Sequence, residues 1–214
     1  MESILTNFSS NQHGFRFINQ FDSTFEYQLP FIGKVKLGEI VYGLCGGMCF
    51  AALDYYHKGR PVPEYTREEE FTVSFSRYLH NRQLDSMMLP TIPKIIEWML
   101  RDDQDVIGLT IQREIPKLRR SLDKGDPVVL ALARVHGSAN PTANHQVLAL
   151  GYDFDGDTKD ITIQTYDPNY PGEQPLISMN LGKVGTGSKI VYSKGEVVRG
   201  FFLIKYKSKK PPER

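Results

Sequence analysis

Both cysteines of this chain lie in residues 42–56, Tyr42-Gly43-Leu44-Cys45-Gly46-Gly47-Met48-Cys49-Phe50-Ala51-Ala52-Leu53-Asp54-Tyr55-Tyr56. The stretch begins as a glycine-rich turn and continues as an apolar run, which predicts a helix over about 46–57. A thiol at the start of a helix lies where backbone N–H groups converge and the helix dipole is positive. Both effects favour the thiolate, the nucleophilic form of cysteine, so Cys45 is the first candidate for a catalytic residue.

Cys49 is the alternative nucleophile. It lies four residues after Cys45, one helical turn deeper on the same face, where a small apolar side chain is expected to pack. A disulfide between the two would close a trivial loop with poor geometry, so both thiols are expected to be reduced. Labelling by iodoacetamide at neutral pH is expected to modify Cys45 first.

Composition limits the classes of function. The 214 residues carry 26 basic and 25 acidic side chains, a formal net charge of +1, which provides no field that would attract nucleic acid. The basic tail 205–210 is therefore expected to be a solvated end of the chain. The start has no signal-peptide layout and no apolar run approaches the roughly 20 residues of a membrane span, which predicts a cytoplasmic protein without membrane contact.

Helical and strand patterns occupy separate halves of the chain, which favours an α+β fold over a wound α/β fold. We expect one domain over 1–214, with residues 1–125 mostly helical and residues 126–214 mostly strand. Residues 1–40 lack a regular pattern, apart from a short strand or extended lead-in over 34–40. Beyond the first helix, helices are predicted at 67–82, 92–103 and 112–124, and strands at 127–135, 145–152, 160–166, 175–180, 188–192 and 199–206.

A base and its orienting carboxylate are found in the strand half. A thiol nucleophile needs a base, and the base needs a partner that orients it. His145 opens a predicted strand directly after a polar loop, and Asp167 closes the next strand. Adjacent antiparallel strands joined by a hairpin place the start of one beside the end of the other. His145 and Asp167 are therefore predicted to be neighbours, with Cys45 facing them across a groove between two lobes.

Three stretches carry a resemblance to a known family. They are LDKGDPVV at 122–129, NHQVLALGY at 144–152 and YDPN at 166–169, and they follow the helix-borne cysteine in order. This order resembles the papain-like cysteine peptidase fold, and most closely the branch of bacteriocin-leader-processing peptidases and their bacterial relatives. The resemblance implies a thiol hydrolase, a peptidase or amidase, with Cys45 as nucleophile, His145 as base and Asp167 as orienting carboxylate. It implies a helical lobe packed on an antiparallel sheet or half-barrel, and a peptide or small amide or ester as the substrate.

One departure from the family pattern concerns the oxyanion donor. Papain-like enzymes carry a Gln a few residues before the nucleophile, whereas residues 38–44 contain no Gln or Asn. Asn19 and Gln20 are the candidates to replace it. Without a donor the protein would be a catalytically inactive peptide-binding module, and an acyltransferase on the same fold is a further alternative. We expect no cofactor, and no His–Cys spacing suggests a zinc site.

Overall fold

The structure, a computed structural model, describes residues 1–21, 26–29, 33–36, 43–88, 90–183 and 187–213. Helices dominate its first half and strands its second, and all strand pairs in the described residues are antiparallel. The predicted α+β class, with helices packed on a curled antiparallel sheet, is confirmed. The helices of the described residues are α1 (Ser10–His13), α2 (Cys45–His57), α3 (Val73–Met87), α4 (Thr91–Leu100), α5 (Asp103–Leu109) and α6 (Ile115–Leu122).

The strands of the described residues are β1 (Glu2–Leu5), β2 (Glu26–Leu29), β3 (Gly33–Lys36), β4 (Val128–Ala133), β5 (His145–Phe154), β6 (Asp160–Tyr166), β7 (Leu176–Asn180), β8 (Val191–Tyr192) and β9 (Gly200–Leu203). Seven of them form the main sheet, in the order β8-β7-β6-β5-β4-β9, with β1 pairing along the same edge of β5 as β4. A separate two-stranded sheet is formed by β2 and β3.

The main sheet is covered on both faces. Every residue of β4 is buried, and its alternate side chains enter two different apolar clusters. One cluster contains Val129 and Ala131 together with most of α2, and the other contains Leu130 and Leu132 together with α6. Ten of the thirteen residues of α2 are buried, so this helix is a central element of the core. Its start, at Cys45, is thereby held rigidly against the sheet.

The second helix begins later than predicted. The sequence pattern placed it at 67–82, but residues 68–70 form only a 3-10 turn and α3 begins at Val73. The Thr66 side chain and backbone are bound by the Glu70 carboxylate, at 3.1 and 2.7 Å. Thr72 provides the cap, because its hydroxyl oxygen accepts a hydrogen bond from the backbone N–H of Phe75 at 3.2 Å.

The third and fourth predicted helices are divided differently. The helix predicted at 92–103 ends at Leu100, and Asp102 caps a new helix, α5, by accepting from the N–H of Asp105 at 2.8 Å. The helix predicted at 112–124 corresponds to α6. A π-helical turn at Thr110–Glu114 connects α5 to α6. Trp98 is a buried core residue of α4, whereas Leu100, the last residue of the same helix, is 73% exposed.

The irregular N-terminal segment contributes more structure than predicted. β1 pairs with the second half of β5, and α1 follows it. Of the lead-in predicted at 34–40, residues up to Lys36 form β3, and the remainder lies outside the described residues. The last two strands are shorter than predicted, 191–192 instead of 188–192 and 200–203 instead of 199–206.

The basic tail is not a freely solvated end, which corrects the expectation for 205–210. The backbone N–H of Lys209 and the Tyr206 hydroxyl both donate to Asp54 Oδ1, at 2.8 and 2.7 Å. The carbonyl of Lys207 accepts a hydrogen bond from Arg82 at 3.0 Å. The tail is therefore anchored to α2 and α3 through its main chain, the Tyr206 hydroxyl and an ion pair between Lys209 Nζ and Asp85 at 2.6 Å.

Candidate active site

Cys45 is the first residue of α2 and is partly exposed. The residue before it, Leu44, caps the helix without a side-chain hydrogen bond, and its own N–H is bound by the Asn19 side-chain carbonyl. The backbone N–H of Gly47, in the first turn of the helix, donates a hydrogen bond to Gln83 Oε1 at 2.7 Å. The thiol therefore stands at the positive end of a helix whose start is fixed by neighbouring side chains.

His145 and Asp167 meet because of strand pairing. β5 starts at His145 and β6 ends at Tyr166, and the two pair antiparallel with Leu148 opposite Tyr166. The start of β5 thus lies beside the residue that follows β6. His145 Nε2 and Asp167 Oδ1 are 2.8 Å apart, and both side chains are almost fully buried.

The third contact joins the helix to this pair. Cys45 lies close enough to His145 for the thiol to act on the ring and to raise its pKa. Because Nε2 of the ring is engaged by Asp167, Nδ1 is the nitrogen that remains for the sulfur. The structure therefore brings the three predicted residues together in the order thiol, imidazole, carboxylate.

The Asp167 carboxylate is held by three donors. Its Oδ1 accepts from His145 and from the backbone N–H of Asn169 at 2.8 Å, and its Oδ2 accepts from the Tyr192 hydroxyl. Tyr192 was not found by sequence reasoning. It lies in the two-residue strand β8, which carries no motif, and only the order of strands in the sheet brings it to Asp167.

The charges of the pair stabilise one another. Burial alone would lower the pKa of His145, but the negative charge and hydrogen bond of Asp167, with the contact to Cys45, raise the pKa above its ordinary value. Burial alone would raise the pKa of Asp167, and the facing imidazolium together with the Tyr192 and Asn169 donors lowers it instead. The arrangement therefore favours a protonated imidazole beside an ionised carboxylate.

Cys49 lies in a different environment. It is fully buried, and its sulfur contacts the backbone carbonyl of Gln146 at 3.7 Å. Burial raises the pKa of the Cys49 thiol well above its ordinary value, and the nearby Cys45 and Asp167 raise it further. A buried neutral thiol is a poor nucleophile.

Asn19 and Gln20, the two candidates for an oxyanion donor, both line the cleft. Asn19 is half-buried and well anchored: its Nδ2 donates to Asn169 Oδ1 at 2.8 Å, and its backbone N–H donates to the Pro168 carbonyl at 3.0 Å. Gln20 is exposed. Of the two, Asn19 is the one held beside both the start of α2 and the loop after Asp167.

The site opens into a cleft of about 610 Å³. Cys45 and His145 line this cleft, together with side chains of the loop before β5. No group of three or more His, Cys, Asp or Glu side chains within the described ranges is arranged to hold a metal ion. Among the helices of those ranges, none combines the length and apolar character needed to cross a bilayer.

Comparison with known proteins gave one family. The model of the Peptidase_C39 like family matches residues 16–180, which include Cys45, His145 and Asp167. Searches of curated proteins and of solved structures found no significant match. The match covers most of the chain and bears out the papain-like resemblance. The chain belongs to the Peptidase_C39 like family, a family of cysteine peptidase relatives.

Proposed function

We propose that this protein is a thiol hydrolase, a peptidase or amidase, that uses Cys45 as nucleophile, His145 as general base and acid, and Asp167 as the orienting carboxylate. The observation that carries the proposal is that Cys45 and His145 lie in the wall of one open cleft, near enough for the thiol to act on the ring, while His145 Nε2 is hydrogen-bonded to Asp167. The nucleophile comes from the helical half and its partners from the strand half, which favours one domain over 1–214.

The chemistry follows from this geometry. His145 takes the thiol proton, and the sulfur attacks the carbonyl carbon of the substrate. The imidazolium then protonates the leaving amine, which departs and leaves a thioester on Cys45. Water, deprotonated by His145, attacks the thioester and releases the acid. Throughout, Asp167 holds the imidazole with Nδ1 towards the sulfur and balances its positive charge.

The oxyanion of the tetrahedral intermediate needs donors. A first-turn N–H of α2 is one, because such groups have no acceptor within the helix. Asn19 is proposed as the second. One of its two amide hydrogens is donated to Asn169, which leaves the other for a substrate oxygen, and the contact from the N–H of Leu44 fixes the orientation of the amide.

Two alternatives use the same cleft. A catalytically inactive peptide-binding module is favoured by the lack of Gln or Asn in residues 38–44, where the family pattern places a donor. An acyltransferase would form the same thioester and pass the acyl group to an amine instead of water. Neither alternative changes the role of the cleft as the binding site for a peptide or small amide or ester.

The test is turnover of a panel of fluorogenic peptides and acyl esters by wild type, Cys45→Ala, His145→Ala and Cys49→Ala. Activity is expected in wild type and Cys49→Ala, and its loss in the other two. Equal turnover by all four, or loss only in Cys49→Ala, contradicts the proposal. Adding an amine acceptor separates the acyltransferase, which would yield the amide in place of the free acid.

A further inference from the structure

Arg134 is the one cationic side chain, apart from His145, among the described residues that line the cleft. It follows β4 directly, and β4 pairs with β5 so that Leu132 faces His145. Asn144, the residue before His145, accepts a hydrogen bond from the Arg134 backbone N–H at 2.8 Å. Arg134 is thus fixed at the same edge of the sheet as the candidate base.

The guanidinium of Arg134 lacks the partners that the other sheltered arginines have. Within the described residues, the remaining buried or half-buried arginines all use their guanidinium groups. Arg82, Arg101, Arg119 and Arg199 donate to carboxylates, and Arg60 donates to two backbone carbonyls. Arg134 is half-buried, and in the same part of the chain no ion pair within 4.0 Å and no side-chain hydrogen bond engages it.

The nearby carboxylate of Glu196 does not neutralise the Arg134 guanidinium. Arg134 is close enough to Tyr170 to act on it electrostatically, and the Tyr170 hydroxyl donates to Glu196 Oε1 at 2.7 Å. Glu196 forms no ion pair with Arg134 and is not among the lining residues. None of the described lining residues is Asp or Glu, so the cleft carries an unmatched positive charge.

We infer that Arg134 determines substrate preference, by binding a carboxylate of the substrate while Cys45 and His145 act on the neighbouring carbonyl. A planar guanidinium binds a carboxylate through two parallel hydrogen bonds, and a partly desolvated one gains more from doing so. Apart from Cys45 and His145, the other described lining side chains are neutral, so they neither compete for Arg134 nor repel an acidic ligand. The inference rests on the proposed function and adds the chemical class of the substrate, an acidic peptide or acyl compound.

The first test compares peptides that differ only by Glu or Gln next to the scissile bond. Wild type is expected to prefer the Glu peptide by about tenfold in kcat/KM, a size between that of a solvent-exposed ion pair and that of a sheltered hydrogen bond to a charged group. Arg134→Gln abolishes the preference, and Arg134→Glu reverses it towards a Lys peptide. Gln peptides with a free or an amidated C-terminus show whether the bound group is a side-chain or terminal carboxylate.

Arg113→Gln is the matched control, because Arg113 is exposed, lies outside the cleft and carries the same charge. It is expected to keep the preference of wild type. The inference is overturned if the ratio of kcat/KM for the Glu and Gln peptides is the same in wild type and Arg134→Gln. It is also overturned if Arg113→Gln loses the preference for the Glu peptide.

A second readout does not require turnover. Iodoacetate and iodoacetamide differ by one negative charge, and the ratio of their alkylation rates at Cys45 reports the positive charge nearby. Arg134→Gln is expected to lower this ratio by about threefold to tenfold and to weaken its dependence on salt. If Arg134→Gln leaves the ratio of the two alkylation rates unchanged, the inference is contradicted even when turnover is normal. If the ratio falls but wild type turns over no substrate, the result supports Arg134 as the positive charge near Cys45 and contradicts the proposed hydrolase activity. If Cys45 reacts with neither reagent, the binding of the Glu and Gln peptides to Cys45→Ala is measured by calorimetry. Equal affinities for the two peptides overturn the inference about Arg134.

Discussion

At the scale of single residues, the site depends on how Asp167 is supported. Its two oxygens accept from His145, the N–H of Asn169 and the Tyr192 hydroxyl, in a position closed to solvent. A buried carboxylate with three donors stays ionised and keeps one orientation. It can therefore hold the imidazolium through the catalytic cycle without taking its proton.

Replacing Asp167 by Asn tests this arrangement. The negative charge of Asp167 raises the pKa of His145, so its removal lowers that pKa and the imidazolium is lost at a lower pH. The alkaline limb of the pH profile of kcat/KM is expected to move to lower pH, and kcat/KM at its optimum to fall about a hundredfold or more.

The control is Asp157→Asn, which removes an equal charge from an exposed hairpin. Its pH profile is expected to match wild type. An alkaline limb that stays in place in Asp167→Asn, or moves to higher pH, contradicts the role of Asp167 as the group that stabilises the imidazolium.

Sequence reasoning found the residues with a local signature. Cys45 was found from the glycine turn before an apolar helix, and His145 and Asp167 from the hairpin that joins their strands. Tyr192 and Arg134 have no such signature, because their positions follow from the order of strands in the sheet and from the shape of the cleft. Pairwise contacts between strands distant in sequence are not encoded in any single window of residues.

At the scale of elements, the approach of α2 to β5 sets the position of the thiol. A Cβ on Gly46 would lie 2.1 Å from Ser86 Oγ and 2.3 Å from Gln146 Oε1, so only glycine fits between α3 and β5 at this point. Gln146 directly follows His145 in the chain. The same close contact that packs the helix start therefore also sets its distance from the candidate base.

Gly46→Ala is expected to lower the free energy of unfolding by about 1–3 kcal/mol, because the added methyl group has to displace two side chains. Reaction of Cys45 with iodoacetamide is also expected to slow as the helix start shifts away from His145. Urea denaturation and alkylation kinetics measure the two effects.

The matched control is Gly108→Ala in α5, where a Cβ would meet no atom within 4 Å. There alanine favours the helix, and a gain of about 0.5–1 kcal/mol is expected. Equal free energies of unfolding in the two variants would show that the packing at Gly46 does not position α2.

Boundaries of elements were predicted less well than their existence, for identifiable reasons. Thr66 and Thr72 are both able to cap a helix, and the Glu70 carboxylate binds Thr66, which leaves Thr72 as the actual cap. α5 was missed because its first turn is acidic and polar, with little apolar periodicity. β1 is a four-residue strand whose partner lies some 150 residues away, so no local pattern reveals it.

At the scale of the whole molecule, a buried ion pair joins the helical core to the end of the chain. Asp54 and Arg82 are almost fully buried and 2.8 Å apart, and the tail binds both through Tyr206, Lys207 and Lys209. Removing one partner of such a pair leaves the other charge buried without compensation.

Asp54→Asn is expected to lower the free energy of unfolding by about 3–5 kcal/mol and to make the tail accessible to proteases. Denaturant titration and limited proteolysis measure these effects. Asp85→Asn is the control, since its partly exposed carboxylate contacts the same Arg82 and is expected to contribute about 1 kcal/mol. An effect of Asp54→Asn no larger than that of Asp85→Asn contradicts a structural role for the buried pair.

The role of Cys45 as nucleophile is tested by locating the acyl group of the intermediate. Wild type, Cys49→Ala and His145→Ala are mixed with an activated ester, quenched in acid, and mapped by peptide mass spectrometry. We expect a thioester on Cys45 in wild type and Cys49→Ala, and its much slower formation in His145→Ala. An acyl group on any other residue, or equally fast acylation of Cys45 without the imidazole, would contradict this expectation.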